Sequence, residues 1–141
     1  MDKFNLQRFV DAQDDGDTYE LAMAELENGR KRSPWIWYVF PQLKGLGFSY
    51  NSTFYGISGK EEAEAYLQHE ILGPRLRNAC QILVGQKDIG AVRLLGNIDA
   101  LKVFSSLTLF DAVAPDDIFA EALRLLYDGR RDSNTLKRLR Q

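Results

Sequence analysis

The sequence contains one cysteine, one histidine and four prolines in 141 residues, and each scarcity removes a class of protein. Cys80 alone cannot close an internal disulfide, so an oxidising compartment offers this fold nothing, and the expected localisation is cytoplasmic. With His69 the sole imidazole and Cys80 the sole thiol, the ligand sets of structural or catalytic zinc are missing. No metal and no cofactor are expected. A Ser-His-Asp triad would have to run through His69, and no serine lies in a G-x-S-x-G elbow. Positive charge is not in excess either. A formal net charge of −2 argues against general nucleic-acid binding, which needs a basic field to displace counterions. The longest apolar run, Pro34 to Pro41, falls far short of the roughly 20 residues that cross a bilayer. The first residues, Met1-Asp2-Lys3-Phe4-Asn5, lack a signal pattern. No membrane partner is expected.

What is present is a balance of 45% hydrophobic and 27% charged residues, too apolar for a disordered chain. The length suits one domain with its own core. Helical spacing recurs along nearly the whole chain. Phe4, Leu6, Phe9, Val10 and Ala12 open it. Asp17 with Glu20 reads as an N-terminal cap of a second helix that stops at Gly29. Ser33-Pro34 reads as cap and first residue of a short third helix. Ser58 with Glu61 reads as a capping box. Further helices are expected from Gly73-Pro74 to Gly85, from Asp88 to Leu95, from Leu101 to Val113 after an Asp99 cap, after Asp116-Asp117, and over Asn134 to Arg140. No run alternates convincingly, so strands are not expected beyond a short pair. The predicted fold is all-α: a single multihelical domain over residues 1–141, with seven to nine helices, several of them short.

One stretch dominates. Ser33 to Gly47 holds both tryptophans, two other aromatics, two of the four prolines and Gly45-Leu46-Gly47. Trp35 and Tyr38 share one side of a helix and Trp37 and Phe40 another, which predicts a segment enclosed on both sides and central to the core. The aperiodic region from Gly45 to Gly59 reads as a long structured loop with one helical turn, the kind of loop that more often carries function. Gly45-Leu46-Gly47 is not a dinucleotide fingerprint, since Tyr50 stands where the third glycine belongs. Gly59-Lys60 is not a P-loop, since Glu61 replaces the required hydroxyl residue. Two readings of the loop remain: an anion held by backbone N–H groups with Lys44, Ser49 and Ser52, or a plain turn with capping hydroxyls.

Lys102 and Ser106, four apart, share one side of their helix, as do Ser105 and Thr108 on another. These residues either allow close helix packing or reach a pocket beside Trp37. Glu25 sits one turn before its helix ends; it reads either as a helix-surface glutamate or, if buried there, as a group of raised pKa that serves as general acid or base. Arg30-Lys31-Arg32 and Arg130-Arg131 read as solvated helix ends, with a phosphate-bearing partner the second reading. The candidate site is therefore Trp37, Gln42, Lys44, Gly45, Gly47, Ser49, Lys102 and Ser106, with Glu25 as the catalytic candidate.

The run Trp35-Ile36-Trp37-Tyr38-Val39-Phe40-Pro41-Gln42-Leu43-Lys44-Gly45-Leu46-Gly47 resembles the W-x-W-x-x-F-P-Q-x-x-G-L-G signature of a bacterial family of small uncharacterised helical proteins, sometimes labelled calpastatin-like. Phe4 to Gln13, Ala63 to Leu67 with Leu72-Gly73-Pro74-Arg75-Leu76, Asp99 to Phe110 and Asp132 to Leu136 resemble it too. The resemblance implies an all-helical single domain without a settled activity; the label implies protease inhibition. Pro34 stands where a histidine is common, Phe48 where a polar residue is usual, and Leu107 where methionine is usual. The chain is also distantly similar to NADAR proteins, which implies action on N-glycosidic bonds of ADP-ribose derivatives. The expected function is binding of a small polar or phosphorylated, nucleotide-like ligand, with hydrolysis of such a bond at Glu25; the alternative is a non-catalytic protein-interaction module.

Overall fold

The computed structural model describes residues 2–141. Its helical segments are α1 (Gln7–Asp14), α2 (Thr18–Glu27), α3 (Ile36–Val39), α4 (Tyr50–Phe54), α5 (Lys60–Gln68), α6 (Leu72–Gly85), α7 (Ala91–Leu95), α8 (Asn97–Val113), α9 (Ile118–Leu126) and α10 (Ser133–Leu139), with a 3-10 turn at Asp15–Asp17. The all-α expectation holds. Seven helices remain when the four- and five-residue turns α3, α4 and α7 are set aside. The β-type pairing among the described residues is one isolated parallel bridge, Leu43 with Ile57.

The wide apolar arc of Leu101 to Val113 makes α8 the axis of the molecule, because a helix that is apolar nearly all round must be enclosed. It packs against α3, α5, α7, α9 and α10, while α6 lies on α2, α5 and α9. A file of rings runs through this core: Phe9 to Tyr66 at 5.1 Å, Tyr66 to Phe110 at 5.4 Å, Phe110 to Phe119 at 5.7 Å. The aromatic segment is thus not the centre. The short α3 packs onto α1 and α8, with Trp35 and Phe40 fully buried and Trp37 and Tyr38 half-buried. Its pairs sort differently from the helical wheel because Trp35 and Phe40 flank the single turn instead of lying in it.

Several expected caps are absent, each for a local reason. Asp17 adopts a left-handed conformation (φ 55°), and its side chain makes no cap bond. Ser33 is three residues before the first helical one, and its hydroxyl is used elsewhere. Gly90 and Gly96, not Asp88 and Asp99, stand at the N-terminal boundaries of α7 and α8. Asp117 does cap α9.

The segment from Phe40 to Gly59 has little regular structure, so its buried backbone groups need other partners. Arg8 provides two of them, at the carbonyls of Phe54 and Gly56. Its guanidinium donates to the carbonyls of Phe4, Asn5, Phe54 and Gly56 at 2.6–3.1 Å and to the Glu62 carboxylate at 2.8 Å. Glu62, not Glu61, then accepts the Ser58 N–H at 2.8 Å, completing the capping logic one residue later. Both side chains are almost wholly buried, 8% and 4% exposed. Removing one member leaves an uncompensated buried charge, which costs roughly 3–5 kcal/mol. Arg8→Ala is expected to lower the urea-unfolding free energy by that order, and replacing Arg8 and Glu62 together to cost less than the two single changes summed.

Candidate functional site

Trp37, half-buried within the single turn of α3, forms one wall of a cavity of about 250 Å³. Gln42, Leu43 and Leu46 continue that wall, Ser52, Tyr55 and Gly56 close it from the loop, and Ile98, Leu101 and Lys102 face it from α8. The loop side is held by the bridge: the Lys44 N–H donates to the Ile57 carbonyl and the Ile57 N–H to the Gln42 carbonyl, both at 2.8 Å. Gly56 is needed where the two chains cross, since a Cβ there would lie 2.7 Å from the Lys44 Cβ. Burial, then the neighbouring Tyr50, pushes the Tyr55 hydroxyl pKa up.

Lys102 is the cation of the cavity. Its Nζ lies 4.3 Å from the Trp37 ring centroid and 3.4 Å from Asp99. Asp99 is not a helix cap; it bridges Lys102 to Lys31 at 2.7 Å. Lys31 in turn donates to the Ser33 carbonyl at 2.6 Å and lies 4.8 Å from the Trp35 ring. Two lysines thus share one aspartate, and each rests on a tryptophan.

The structure brings together Trp37, Gln42, Gly47 and Lys102. It does not bring the other expected residues with them. Lys44 lies beyond the bridge, in a separate concavity with Ser58 and Arg138. Gly45, at φ +97°, is covered by the Arg138 guanidinium, which a Cβ would meet at 2.1 Å. Arg138 Nε donates to the Lys44 carbonyl at 2.7 Å, so this glycine permits chain docking. Ser49 caps α4 by accepting the Ser52 N–H at 3.1 Å, which is the plain-turn reading. Ser106 is fully buried with no hydrogen-bond partner among the described residues. Ser105 and Thr108 are spent on packing: Ser105 donates to Asp132 at 2.5 Å, and Thr108 accepts the Asp132 N–H at 3.0 Å.

Glu25 is the largest correction. It is buried at 7% exposure, yet it is not among the residues that line the cavity. Its carboxylate accepts the N–H groups of Arg32 (2.7 Å) and Ser33 (3.0 Å), the Ser33 hydroxyl (2.5 Å) and the Trp35 indole N–H (2.9 Å). Burial pushes its pKa up, but these donors outweigh it, Ser33 foremost, and hold the pKa at about 2 against an ordinary 4.5. Glu25 is an ionised anchor for residues 32–35 with its acceptor sites taken. A sequence could have shown this only through the donors that follow it seven to ten residues on.

The residues that sequence reading missed are Lys31, Asp99, Tyr55, Ile98 and Leu101. The 99/102 spacing was a visible signal for one ion pair; Lys31 with Asp99 had none. His69 is part of a turn, its Nδ1 accepting the Ile71 and Leu72 N–H groups, and Cys80 is core, its thiol pKa pushed up by burial. Among the described residues no cluster of three or more His, Cys, Asp or Glu could hold a metal. No helix there is long and apolar enough to cross a membrane.

Fold and cavity together define a small all-helical protein with an aromatic-walled pocket carrying one lysine. The chain belongs to the DUF1810 family, described as proteins of unknown function, which it matches over residues 3–139. It is similar to the conserved hypothetical protein Rv1873 from Mycobacterium tuberculosis, whose crystal structure shares 42% identity over 98% of both chains with a TM-score of 0.93. No curated protein matches it.

The depressed Glu25 pKa has a definite sign. Its stabilisation is full above the unfolded value near 4.5 and is lost as pH falls through about 2. Glu25→Gln is expected to cost about 3 kcal/mol at pH 7, with the gap to wild type closing toward pH 2 in paired urea titrations.

Proposed function

We propose that this protein binds a small planar ligand bearing a negative group, of the kind a nucleotide or an ADP-ribose-type compound presents, in the Trp37 cavity. The observation that carries this reading is the convergence of Trp37, Gln42 and Lys102 on one concavity of about 250 Å³ with otherwise largely apolar walls. Trp37 offers a ring face, the Gln42 amide offers both donor and acceptor to a heterocycle edge, and Lys102 offers charge. The volume lies just below the range of about 300–1,000 Å³ for drug-sized ligands, so it suits the ring of such a compound with the remainder outside. Hydrolysis of an N-glycosidic bond needs an acid or base beside that bond. Glu25 is committed to residues 32–35, and the residues lining the cavity include no carboxylate. The reading is therefore binding without turnover.

A protein-interaction module is the second reading, and one observation favours it: Phe48 and Tyr50, at the loop beside the cavity, are 98% and 75% exposed. The two readings separate in one set of titrations. AMP, ADP-ribose and ribose 5-phosphate are followed by tryptophan emission and thermal shift, and ligand products by chromatography. Ligand at 100 times its Kd adds about 2.7 kcal/mol. Saturable binding of AMP or ADP-ribose is expected, its emission change absent in Trp37→Phe, its affinity about tenfold lower in Lys102→Ala and intact in Phe48→Ser. No response to any of the three, or cleavage of ADP-ribose by the wild-type chain, would defeat the proposal.

A further inference from the structure

A second concavity, of about 680 Å³, opens where α7, α8, the end of α9 and the turn before α10 meet. Leu101 and Phe104 from α8 face Leu126 and Tyr127 across it. The Phe104 and Tyr127 rings lie 5.0 Å apart at 31°. The Tyr127 hydroxyl donates to the Ala100 carbonyl at 2.7 Å, which fixes that wall. Val92 and Leu101 on the rim remain 55% and 67% exposed. This volume is typical of a small-molecule site.

The charges at its mouth are not equally available. Asp132 accepts from Ser105, Thr135 and the Asn134 N–H, and so has no free oxygen. Arg131 pairs with Asp111 at 3.0 Å and donates to the Gly129 carbonyl at 2.7 Å. Arg130 donates only through Nε, to the Tyr127 carbonyl at 3.3 Å, and its terminal nitrogens have no partner among the described residues. The sequence pair Arg130-Arg131 is thereby split into one neutralised and one available cation. A guanidinium presents its donors as a planar fork that fits carboxylate and phosphate oxygens.

We infer that this groove binds an amphiphilic organic anion, its apolar body on Phe104 and Tyr127 and its carboxylate or phosphate on Arg130. Calorimetric titration of the whole chain with octanoate, octyl phosphate and neutral 1-octanol tests this. Both anions are expected to bind saturably and more tightly than octanol, and about tenfold or more weakly to Arg130→Ala. Val92→Glu, which places a carboxylate on the exposed rim, is expected to weaken both anions similarly; it serves if Arg130→Ala melts early. Absence of saturable anion binding, equal affinity for octanol, or undiminished binding in both variants overturns the inference. Loss of octanoate binding in Lys102→Ala also overturns it, since that places the anion in the Trp37 cavity.

Discussion

Two buried side chains of opposite charge hold two of the segments of this protein that are not helical. Within a helix the backbone satisfies itself; outside one, every buried N–H and C=O needs a partner supplied from elsewhere. Glu25 supplies acceptors to the segment between α2 and α3, gathering two backbone N–H groups, a hydroxyl and an indole N–H. Arg8 supplies donors to the segment between α4 and α5, gathering carbonyls there and at its own N-terminal turn. A carboxylate collects donors and a guanidinium collects acceptors. The Trp37 cavity takes Tyr55 and Gly56 from the second of these segments, and the Leu43–Ile57 bridge ties that segment to the loop carrying Gln42, Leu43 and Leu46.

A chain of contacts joins the first anchor to the cavity. Glu25 fixes Trp35 through its indole; Lys31 lies against that ring and bonds Asp99; Asp99 bonds Lys102, which lies over Trp37. Lys102 is consequently a placed cation and not a mobile surface one, at 24% side-chain exposure. Sharing one aspartate between two lysines also leaves a positive excess in the group. An anion entering the cavity would meet that excess in surroundings drier than bulk water, where a charge pair is worth more.

Much of the fold was legible because its signals are local. The apolar arc of α8, the stops at Gly29 and Gly85 and the Asp117 cap each occupy a few adjacent residues. What was not legible depends on residues far apart in sequence. Arg8 reaches carbonyls 46 and 48 positions away, and no periodicity marks such a pair. Lys44 and Gln42 lie only two positions apart, but the pairing of Leu43 with Ile57 falls between them and puts Lys44 beside Arg138. Ser106 was placed with Lys102 by correct helical geometry. Lys102 stands near the start of α8, where the helix is partly open; one turn later its neighbours enclose it, and Ser106 is fully buried. Periodicity gives the face of a helix but not where along the helix that face is covered.

The anchoring also bears on what the cavity can do. A site assembled from loops normally loses ordering entropy when a ligand arrives, and that loss is subtracted from affinity. Here the ordering occurs at folding, at the cost of burying Glu25 and the Arg8–Glu62 pair. Such burial is a poor source of stability compared with a packed apolar core. It is, however, an effective way to hold a backbone path that no ladder supports. The same commitment removes Glu25 from chemistry, since a carboxylate with its acceptor sites filled and a pKa of about 2 cannot take up a proton near neutrality. An anchored wall and a placed cation are what the proposed recognition of an anionic ligand would draw on.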